Sequence, residues 1–339
     1  MANYKDYKIA TLGSHTALQI LKGAKDEGFE TICICEKGKR RPYDSYKVAD
    51  KIIEIDKFSD YFGIEDQLMK ENAIVIPHGS FVSYLGFEDV KKIKAMHYGN
   101  RSIIEWESDR EKEREWLLDA GLKMPKIIDK PENIDRPVII KFHGAQGGKG
   151  YFIANTPEEF NERMKTHPNR DVSYVIQEYI VGVPMYTHYF HSPVTGELEI
   201  MSFDKRYESN ADSIGRIAAK DQVDVGIRTT YTITGNVPLV LRESLLHKAF
   251  EMGEGAIEAS KKVVDRGLWG PFCLEAIIDP NLDFYVFEIS ARIVAGTNPF
   301  VNGSPYTWLR YDEPMSTGRR LARDIKEAIG KDELEKVLG

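Results

Sequence analysis

The sequence predicts an α/β, doubly wound domain at its N-terminal end, followed by an α+β module. In the first hundred residues strands alternate with helices: KIATLG, a helix over 15–27 ended by Gly28, and TICICE form a βαβ unit. Further along, the strand patterns SYVIQEYI, MYTHYFHS and ELEIMSF follow one another before a long helical pattern begins. A chain of 339 residues also exceeds what one hydrophobic core usually serves, so we expect two or three subdomains.

The doubly wound region extends to about residue 100, because ADKIIEI and NAIVIPHGS add further strand-and-turn units. Its ligands should lie at the carboxyl ends of the strands, in loops 13–16 and 77–80. The first loop has only Gly13 in place of G-x-G-x-x-G, which argues against a dinucleotide. Residues 14–16 open a helix whose free N–H groups favour an anion. The alternative is that Ser14 only caps this helix.

Composition excludes several classes of function. The formal charge of -7 gives no basic field for nucleic acid. No apolar run approaches the ~20 residues that span a bilayer, and the first residues lack the apolar core of a signal peptide. We therefore expect a cytoplasmic protein without a membrane segment. Three cysteines build no disulfide framework, and Cys33 and Cys35 are interpreted as buried thiols rather than metal ligands.

The second subdomain is predicted to begin near an S-x-x-E capping box formed by Ser108 and Glu111. It contains the hairpin RPVIIKF, HGAQGGKG and YFIA, whose glycine-dense tip lets backbone N–H groups approach phosphate oxygens. Lys141 and Lys149 add positive charge there. The tip is not a Walker A loop, because Gly150 rather than Ser or Thr follows the second lysine. A merely flexible hairpin tip is the alternative.

Two glutamates, Glu275 and Glu288, lie in the apolar strands FCLEAII and YVFEIS, which a turn-rich connection joins as a hairpin. Facing carboxylates in an apolar setting need a cation, and Mg²⁺ with phosphate oxygens as further ligands meets that need. Two separate glutamates on solvent faces are the alternative. Arg292, four residues on, could direct its guanidinium toward a transferring phosphoryl group. Between these features, residues 177–180 could offer a backbone edge to adenine, or form a plain strand.

The order of these parts resembles the ATP-grasp superfamily, whose members activate a carboxylate as an acyl phosphate. Longer strings narrow the resemblance: TLGSHTALQILKGAKDEGFET, IPHGSF, DKRYESN, ITGNVPLVLRESLL, GPFCLEA and FEISAR…GTNPFVNGSPY. They are similar to the archaeal formate-dependent ligases of purine biosynthesis, the 5-formaminoimidazole-4-carboxamide ribonucleotide synthetases. The resemblance covers essentially the whole chain.

The resemblance implies a Rossmann-like domain that binds the ribonucleotide over residues 1–100. It further implies an ATP-grasp module with a small subdomain over 101–190 and a large one over 191–339. ATP would phosphorylate formate, and the amine of aminoimidazole carboxamide ribonucleotide (AICAR) would attack the formyl phosphate in IMP biosynthesis. The implied cofactor is Mg²⁺ or Mn²⁺, the partners are ATP, formate and AICAR, and the protein would form a homo-oligomer.

The family's functional positions transfer residue by residue. Those that would contact AICAR are His15, Ser80 and Asn236. Those that would contact ATP are Arg110, Lys141, Gly147, Gly148, Lys149, Gly150, Gln177, Glu178, Tyr179, Ile180 and Glu208. Glu275 and Glu288 would hold the metal, while Arg292 and Lys141 would act on the transferred group. Lys112 competes with Arg110 for its place.

Two departures from the wider superfamily limit what the resemblance implies. Ser290 stands where E-x-N-x-R has its Asn, so a water could complete the metal shell. The segment after residue 180 lacks the acidic residue that often holds the ATP ribose, and we expect Glu208 in that role. The alternatives are an ATP-grasp ligase that joins another acid and amine, and a non-catalytic paralogue that binds purine nucleotides.

Overall fold

A computed structural model describes residues 3–142, 151–227 and 230–339, whose strands form three sheets. The first sheet is parallel, with the order β3-β2-β1-β4-β5. Its strands are β1 (Lys8–Leu12), β2 (Glu30–Glu36), β3 (Lys51–Ile55), β4 (Ala73–Val75) and β5 (Met96–His97). Its helices are α1 (Ala17–Asp26), α2 (Arg41–Tyr46), α3 (Glu65–Lys70), α4 (Phe81–Leu85) and α5 (Phe87–Val90). The predicted doubly wound domain is confirmed.

The strand order of this sheet reverses beside β1, which lies between β2 and β4. In such sheets the crevice for a ligand opens at the carboxyl ends of the two strands that flank the reversal. Loops 13–16 and 77–80 follow β1 and β4 and therefore border this crevice. The five middle residues of β2 are buried, as expected for a strand covered on both faces.

The second sheet is antiparallel and has the order β6-β9-β7-β8. Its elements are β6 (Ile127–Ile128), β7 (Val138–Phe142), β8 (Tyr151–Ala154), α8 (Pro157–Thr166) and β9 (Tyr174–Glu178). Strands β7 and β8 pair as predicted, and Lys141 lies opposite Tyr151. The predictions for Gly147, Gly148, Lys149 and Gly150 lie outside the described residues.

The third sheet is antiparallel, with the order β12-β11-β10-β13-β14. Its strands are β10 (Val183–His191), β11 (Leu198–Asn210), β12 (Tyr231–Leu239), β13 (Gly270–Ile278) and β14 (Phe284–Ser290). The predicted hairpin of the two glutamate strands is the pair β13–β14. Because β10 pairs with β11 and β13, the domain boundary predicted after residue 190 runs through a strand of this sheet.

The remaining helices cover and connect the sheets. They are α6 (Ile103–Ser108), α7 (Arg110–Asp119), α9 (Ala219–Asp224), α10 (Leu246–Val263), α11 (Pro305–Tyr311) and α12 (Thr317–Gly330). Short 3-10 segments occupy Tyr4–Asp6, Phe58–Gly63, Pro131–Asn133, Ile214–Arg216, Glu243–Leu245, Ala295–Phe300 and Leu334–Lys336. Within the three described ranges, no helix has the length and apolar character needed to cross a membrane.

The cap of α7 differs from its prediction. Ser108 is the last residue of α6, and Asp109 is the N-cap of α7, where its Oδ1 accepts hydrogen bonds from the amides of Glu111 and Lys112. An aspartate caps as well as a serine does, so the S-x-x-E spacing placed the start one residue early.

Two helices from opposite ends of the chain, α1 and α12, pack tightly at glycines. A Cβ on Gly23 would lie 2.2 Å from the backbone nitrogen of Arg319, and one on Gly318 would lie 2.4 Å from the backbone oxygen of Gln19. Such distances are below any normal contact, so only glycine permits this approach. The contact fixes the last helix against the first domain.

We expect Gly23→Ala to lower the free energy of unfolding by about 1–3 kcal/mol, because the methyl group overpacks this contact. Thermal or urea unfolding of the variant measures the effect. The matched control is Gly330→Ala, since nothing lies within 4 Å of a Cβ there. An exposed helical Gly→Ala change is neutral or stabilising, so equal behaviour of the two variants would contradict the packing argument.

Candidate functional site

A row of polar side chains crosses one face of the third sheet. The register places Asn236 opposite Arg206, Tyr186 opposite both Asp204 and Glu275, and Glu275 opposite Glu288. Antiparallel partners direct their side chains to the same face. The row therefore runs from β12 to β14 through all five strands.

The two glutamates of the row face each other, as predicted. Glu275 is 3% exposed, whereas the side chain of Glu288 is 36% exposed. Burial and the neighbouring charge of Glu288 raise the pKa of Glu275, while the cation of Arg206 opposes that rise. The alternative of two separate glutamates on solvent faces is therefore wrong for Glu275.

Arg110 lies beside this pair at the start of α7. Its Nη1 is 3.2 Å from Glu288 Oε2 and donates to Glu113 Oε2 at 3.0 Å. Glu113 is buried, accepts a hydrogen bond from the amide of Ile289, and has its pKa raised to about 8 by desolvation. Lys112, the competing candidate, forms an ion pair with Glu105 instead. The structure thus places Arg110, not Lys112, next to the glutamates.

Arg206 is a member of the row that the sequence analysis missed. Its guanidinium forms an ion pair with Glu275 and lies 4.1 Å above the ring centre of Tyr186. The signal was present in DKRYESN, because residues two apart on a strand share a face. Arg206 stands two residues before Glu208 and therefore shares its face of β11.

Asn236 is held through a chain of buried polar groups. Its Nδ2 donates to Asp204 Oδ2 at 2.8 Å, and Asp204 Oδ1 lies 2.7 Å from His188 Nε2. Asp204 and His188 are almost completely buried. The chain fixes the side-chain amide of Asn236 on the row face. Neither Asp204 nor His188 was predicted.

The first domain presents His15 to the same region. His15 has a positive φ of 55° and stacks on His78, with ring centroids 5.3 Å apart. Gly79 packs against its ring, where a Cβ would lie 2.5 Å from Cε1 and Nε2. Ser80 is the N-cap of α4, and its amide donates to His78 Nδ1 at 3.3 Å. Both predicted residues of this domain, His15 and Ser80, therefore border one crevice.

The electrostatic environment of His15 joins the crevice to the row. Its ring remains accessible to solvent, yet the surrounding protein and the charges of Arg292 and Arg206 lower its pKa to about 4. His15 is consequently neutral at pH 7. The two arginines that act on His15 also act on Glu275. Both arginines are thus near His15 as well as near Glu275.

Ser14 does not cap α1, contrary to the simpler interpretation of its position. The N-cap is Thr16, which makes no side-chain capping bond, whereas Ser14 Oγ lies 2.7 Å from the hydroxyl of Tyr84. An open cleft of about 440 Å³ adjoins this pair at the ends of β1 and β2. Its lining residues are Gly13, Ser14, Glu36, Lys39, Lys57, Phe58, Ser59, Ser83 and Tyr84.

Arg292 connects the first domain to the end of β14. Its Nη2 donates to the carbonyl of Gly79 at 2.9 Å, and its Nη1 lies 2.6 Å from Glu107 Oε1. Glu107 Oε2 also accepts a hydrogen bond from the amide of Ala291, and burial raises the pKa of this carboxyl group. The guanidinium of Arg292 is therefore directed at Gly79 and Glu107. Its contact with a phosphoryl group stays a prediction.

The predicted nucleotide residues lie between the second and third sheets. Burial and the charge of Arg110 lower the pKa of Lys141, while the charge of Glu288 raises it. The rings of Tyr151 and Tyr231 are 5.8 Å apart and bring β8 beside β12. Electrostatic effects of Tyr179 and Glu208 on Tyr151 place both predicted residues near this contact. Residues of the two sheets thus converge on one side of the row.

Residues 177–180 comprise the last two residues of β9 and the two that follow it, and part of this segment is already bonded. The carboxylate of Glu178 accepts hydrogen bonds from the amide of Lys126 and from Arg136 Nη1, both at 3.1 Å. The amide of Tyr179 donates to the carbonyl of Pro137. Gln177 is buried opposite Ile139. The side chain of Glu178 thus forms hydrogen bonds with residues that adjoin strands of the second sheet. A ligand would contact the backbone between Glu178 and Ile180.

The glutamate pair satisfies the basic requirement for a divalent cation. The described residues contain no group of three or more His, Cys, Asp or Glu side chains that could hold a metal. Two facing carboxylates fit Mg²⁺, which takes few protein ligands and completes its shell with phosphate oxygens and water. The donor set therefore suits a metal that arrives with a phosphorylated ligand.

His15 should titrate with a pKa near 4 in the folded protein, against about 6.5 in the unfolded chain. Its share of stability is thus lost as the pH falls from 6.5 toward 4, since the unfolded chain binds the proton first. NMR titration of the ring Cε1–H, assigned through His15→Gln, measures the value, with the urea-unfolded protein as control. A folded-state value near 6.5 would contradict the described environment.

Comparison with known proteins extends these observations. A family described as a domain of unknown function (DUF1297) matches residues 158–339, and one described as a protein of unknown function (DUF1246) matches residues 9–128. A Pyrococcus abyssi protein named 5-formaminoimidazole-4-carboxamide-1-(beta)-D-ribofuranosyl 5'-monophosphate synthetase is 55% identical over 98% of both chains. The likeness therefore spans all three sheets.

Solved structures show the same architecture. The crystal structure of an IMP biosynthesis protein PurP from Thermococcus kodakaraensis has a TM-score of 0.79 and 30% identity, covering 98% of this chain and 100% of that one. N5-carboxyaminoimidazole synthetase from Staphylococcus aureus, complexed with ADP, has a TM-score of 0.65 and 17% identity, covering 94% and 77%. The second likeness concerns the fold alone, which is of the ATP-grasp type.

Proposed function

The chain belongs to the family of 5-formaminoimidazole-4-carboxamide ribonucleotide synthetases, and on that premise we propose that it is the ATP- and formate-dependent ligase that formylates AICAR. The products are 5-formaminoimidazole-4-carboxamide ribonucleotide, ADP and phosphate, in the biosynthesis of IMP. The enzyme is a carbon–nitrogen ligase. Formate is first phosphorylated by ATP, and the 5-amino group then attacks the formyl phosphate.

The observation that carries this proposal is the position of His15 relative to the glutamate row. Arg206 and Arg292 act electrostatically on both His15 and Glu275, so an acceptor in the crevice lies next to the place of phosphoryl transfer. A ligase needs this proximity, because the acyl phosphate must meet the amine before water does.

ATP occupies the space between the second and third sheets in this proposal. The backbone of residues 177–180 faces adenine, and Glu208 contacts the ribose. Lys141 and Arg110 bind the phosphates together with Gly147, Gly148, Lys149 and Gly150. Lys141 suits this role because the surrounding protein and the charge of Arg110 lower its pKa, and a phosphate would stabilise the charged form that they disfavour.

Glu275 and Glu288 hold Mg²⁺ or Mn²⁺ in the proposed complex. A metal bound there would supply positive charge that neutralises phosphate oxygens. Arg110 remains beside Glu288, and Glu113 orients it from below. Arg292 acts on the transferred group through its charge, with Glu107 as its counter-ion. No covalent enzyme nucleophile is needed, because positioning and electrostatic stabilisation suffice for phosphoryl transfer.

AICAR binds to His15, Ser80 and Asn236 in this proposal. The neutral imidazole of His15 can donate or accept one hydrogen bond at pH 7. Asn236 enters the site with its side-chain amide already oriented by Asp204. In the second step the amine nitrogen bonds to the formyl carbon, phosphate leaves, and the nitrogen loses one proton.

The proposal includes a cytoplasmic homo-oligomer. Trp308 and Leu309 on α11 are 51% and 84% exposed, which favours an interface over a core for this aromatic segment. Other charges along the chain are mostly paired locally, as Arg40 is with Asp44 and Glu54. A surface of that kind suits small anionic substrates bound at local sites and no nucleic acid.

ADP release in the presence of ATP and Mg²⁺ tests the function directly. We expect turnover only when formate and AICAR are both present, because neither half-reaction is complete without the other substrate. Acetate and bicarbonate in place of formate serve as controls. Turnover with another acid, or without AICAR, would point to a ligase with different substrates. Binding without any turnover would point to a non-catalytic protein.

Glu288→Gln should lower kcat by about 10³-fold or more, because the variant loses a carboxylate from the proposed metal site. AICAR affinity, measured by calorimetry without ATP, should change less than about threefold, since His15, Ser80 and Asn236 are untouched. Glu251→Gln, on the exposed side of α10, is the matched control. Equal loss of AICAR binding in Glu288→Gln would mean that the metal site is assigned to the wrong residues.

A further inference from the structure

We propose that Arg206 binds formate and holds it between the ATP phosphates and the acceptor amine. The inference rests on the proposed function and adds the residue that recognises its smallest substrate. Formate has one charge and two oxygens, so its recognition needs a cation that is already oriented. Arg206 meets this requirement through its position, its ion pair and its contact with an aromatic ring.

The position of Arg206 is central to the three groups of predicted residues. It forms an ion pair with Glu275 of the proposed metal pair, and it lies opposite Asn236 in the sheet register. Its charge lowers the pKa of His15 and opposes the rise in the pKa of Glu208. An anion bound to Arg206 is therefore near the acceptor, the metal pair and the nucleotide.

The guanidinium of Arg206 is held in a fixed plane. Its side chain is 23% exposed, and it stacks at 4.1 Å on the ring of Tyr186, itself buried. A planar guanidinium can donate two parallel hydrogen bonds to the two oxygens of a carboxylate. Stacking on an aromatic ring leaves the donor edge of the guanidinium available while restricting its rotation.

Arg206 and Arg292 differ in the carboxylate with which each is paired, and an arginine must give up that partner to bind formate. Arg292 is paired with Glu107 and with the carbonyl of Gly79, neither of which is a proposed ligand residue. Arg206 is paired with Glu275, which the proposed metal also requires. If Glu275 binds a divalent cation, Arg206 loses its carboxylate partner and remains a partly desolvated cation. Formate supplies the replacement.

This exchange gives formate a defined part in the reaction. One formate oxygen, held by Arg206, forms the bond to the γ-phosphorus as ADP leaves. The other oxygen becomes the carbonyl oxygen of formyl phosphate and keeps its hydrogen bond to the guanidinium. When the amine attacks the formyl carbon, the same bond stabilises the negative charge that develops on that oxygen. Phosphate then departs with the first oxygen, and the amine loses a proton.

Steady-state kinetics of Arg206→Gln and Arg206→Lys test the proposal. We expect the KM for formate to rise about 100-fold in Arg206→Gln and about 10-fold in Arg206→Lys, which keeps the charge but loses the planar fork. The KM values for ATP and AICAR should stay within about threefold. Arg242→Gln, an exposed arginine before α10, is the matched control. An unchanged KM for formate in both variants overturns the proposal.

A binding measurement makes the test independent of turnover. The ¹³C resonance of labelled formate should broaden on addition of wild-type protein with MgADP and AICAR, and this broadening should be absent with Arg206→Gln. Arg206 could instead act only by positioning Glu275 for the metal. Mn²⁺ affinity, measured by EPR, distinguishes this role from formate binding. A loss of Mn²⁺ affinity with normal formate broadening would show that Arg206 only positions Glu275, and would overturn the proposal.

The two hypotheses fail in different ways. If the wild-type protein turns over without formate, the proposed function fails. The broadening of the ¹³C resonance of formate still tests whether Arg206 binds formate. If the wild type requires formate and Arg206→Gln binds it normally, only the inference about Arg206 fails. Circular dichroism and the unfolding midpoint establish that the variants are folded. Should Arg206→Gln be unfolded, Arg206→Lys carries the test, with its tenfold rise in the KM for formate.

Discussion

The polar face of the third sheet depends on the ion pair between Arg206 and Glu275. Burying a carboxylate is costly, and Glu288 across the strand increases the cost by like-charge repulsion. Arg206 and Arg110, each paired with one of the two glutamates, offset part of it. Without these cations the facing glutamates would force the β13–β14 hairpin apart or bind protons. The two arginines thus balance charges to which a metal could also bind.

Neighbouring side chains hold the polar groups of this face in place through hydrogen bonds, ion pairs or ring contacts. Glu113 orients Arg110, Asp204 orients Asn236, and Tyr186 restricts Arg206. Such supports keep the groups that would meet substrates in one geometry before binding. Electrostatic catalysis depends on this, because groups that must reorganise during reaction lose much of their advantage.

Local features were the ones that could be predicted from the sequence. The βαβ unit and the two hairpins follow from periodicity and turn residues, and both glutamates stand out as charges within apolar strands. Pairings over long sequence separations could not be predicted in the same way. Arg206 and Glu275 are 69 residues apart, and the local sequence around either residue does not indicate that the two form a pair.

Element boundaries were harder to predict than the elements themselves. Two adjacent residues, Ser108 and Asp109, both suit an N-cap, and only the end of α6 decides between them. The domain boundary after residue 190 stays a prediction; β9 and β10 follow one another in the chain but pair into different sheets. Strand membership is decided by long-range register, which a segment does not encode by itself.

The distribution of hydrophobic cores sets which parts of the molecule can move independently. One continuous core contains Ala10 and Val75 of the first sheet together with Phe272 and Leu274 of the third. The second sheet has a core of its own, built from residues between Ile134 and Ile176. Arg292 and the α1–α12 contact reinforce the first unit. Since its core is separate, we expect a movement of the small sheet to disturb fewer buried contacts than a movement between the first and third sheets, which share one core.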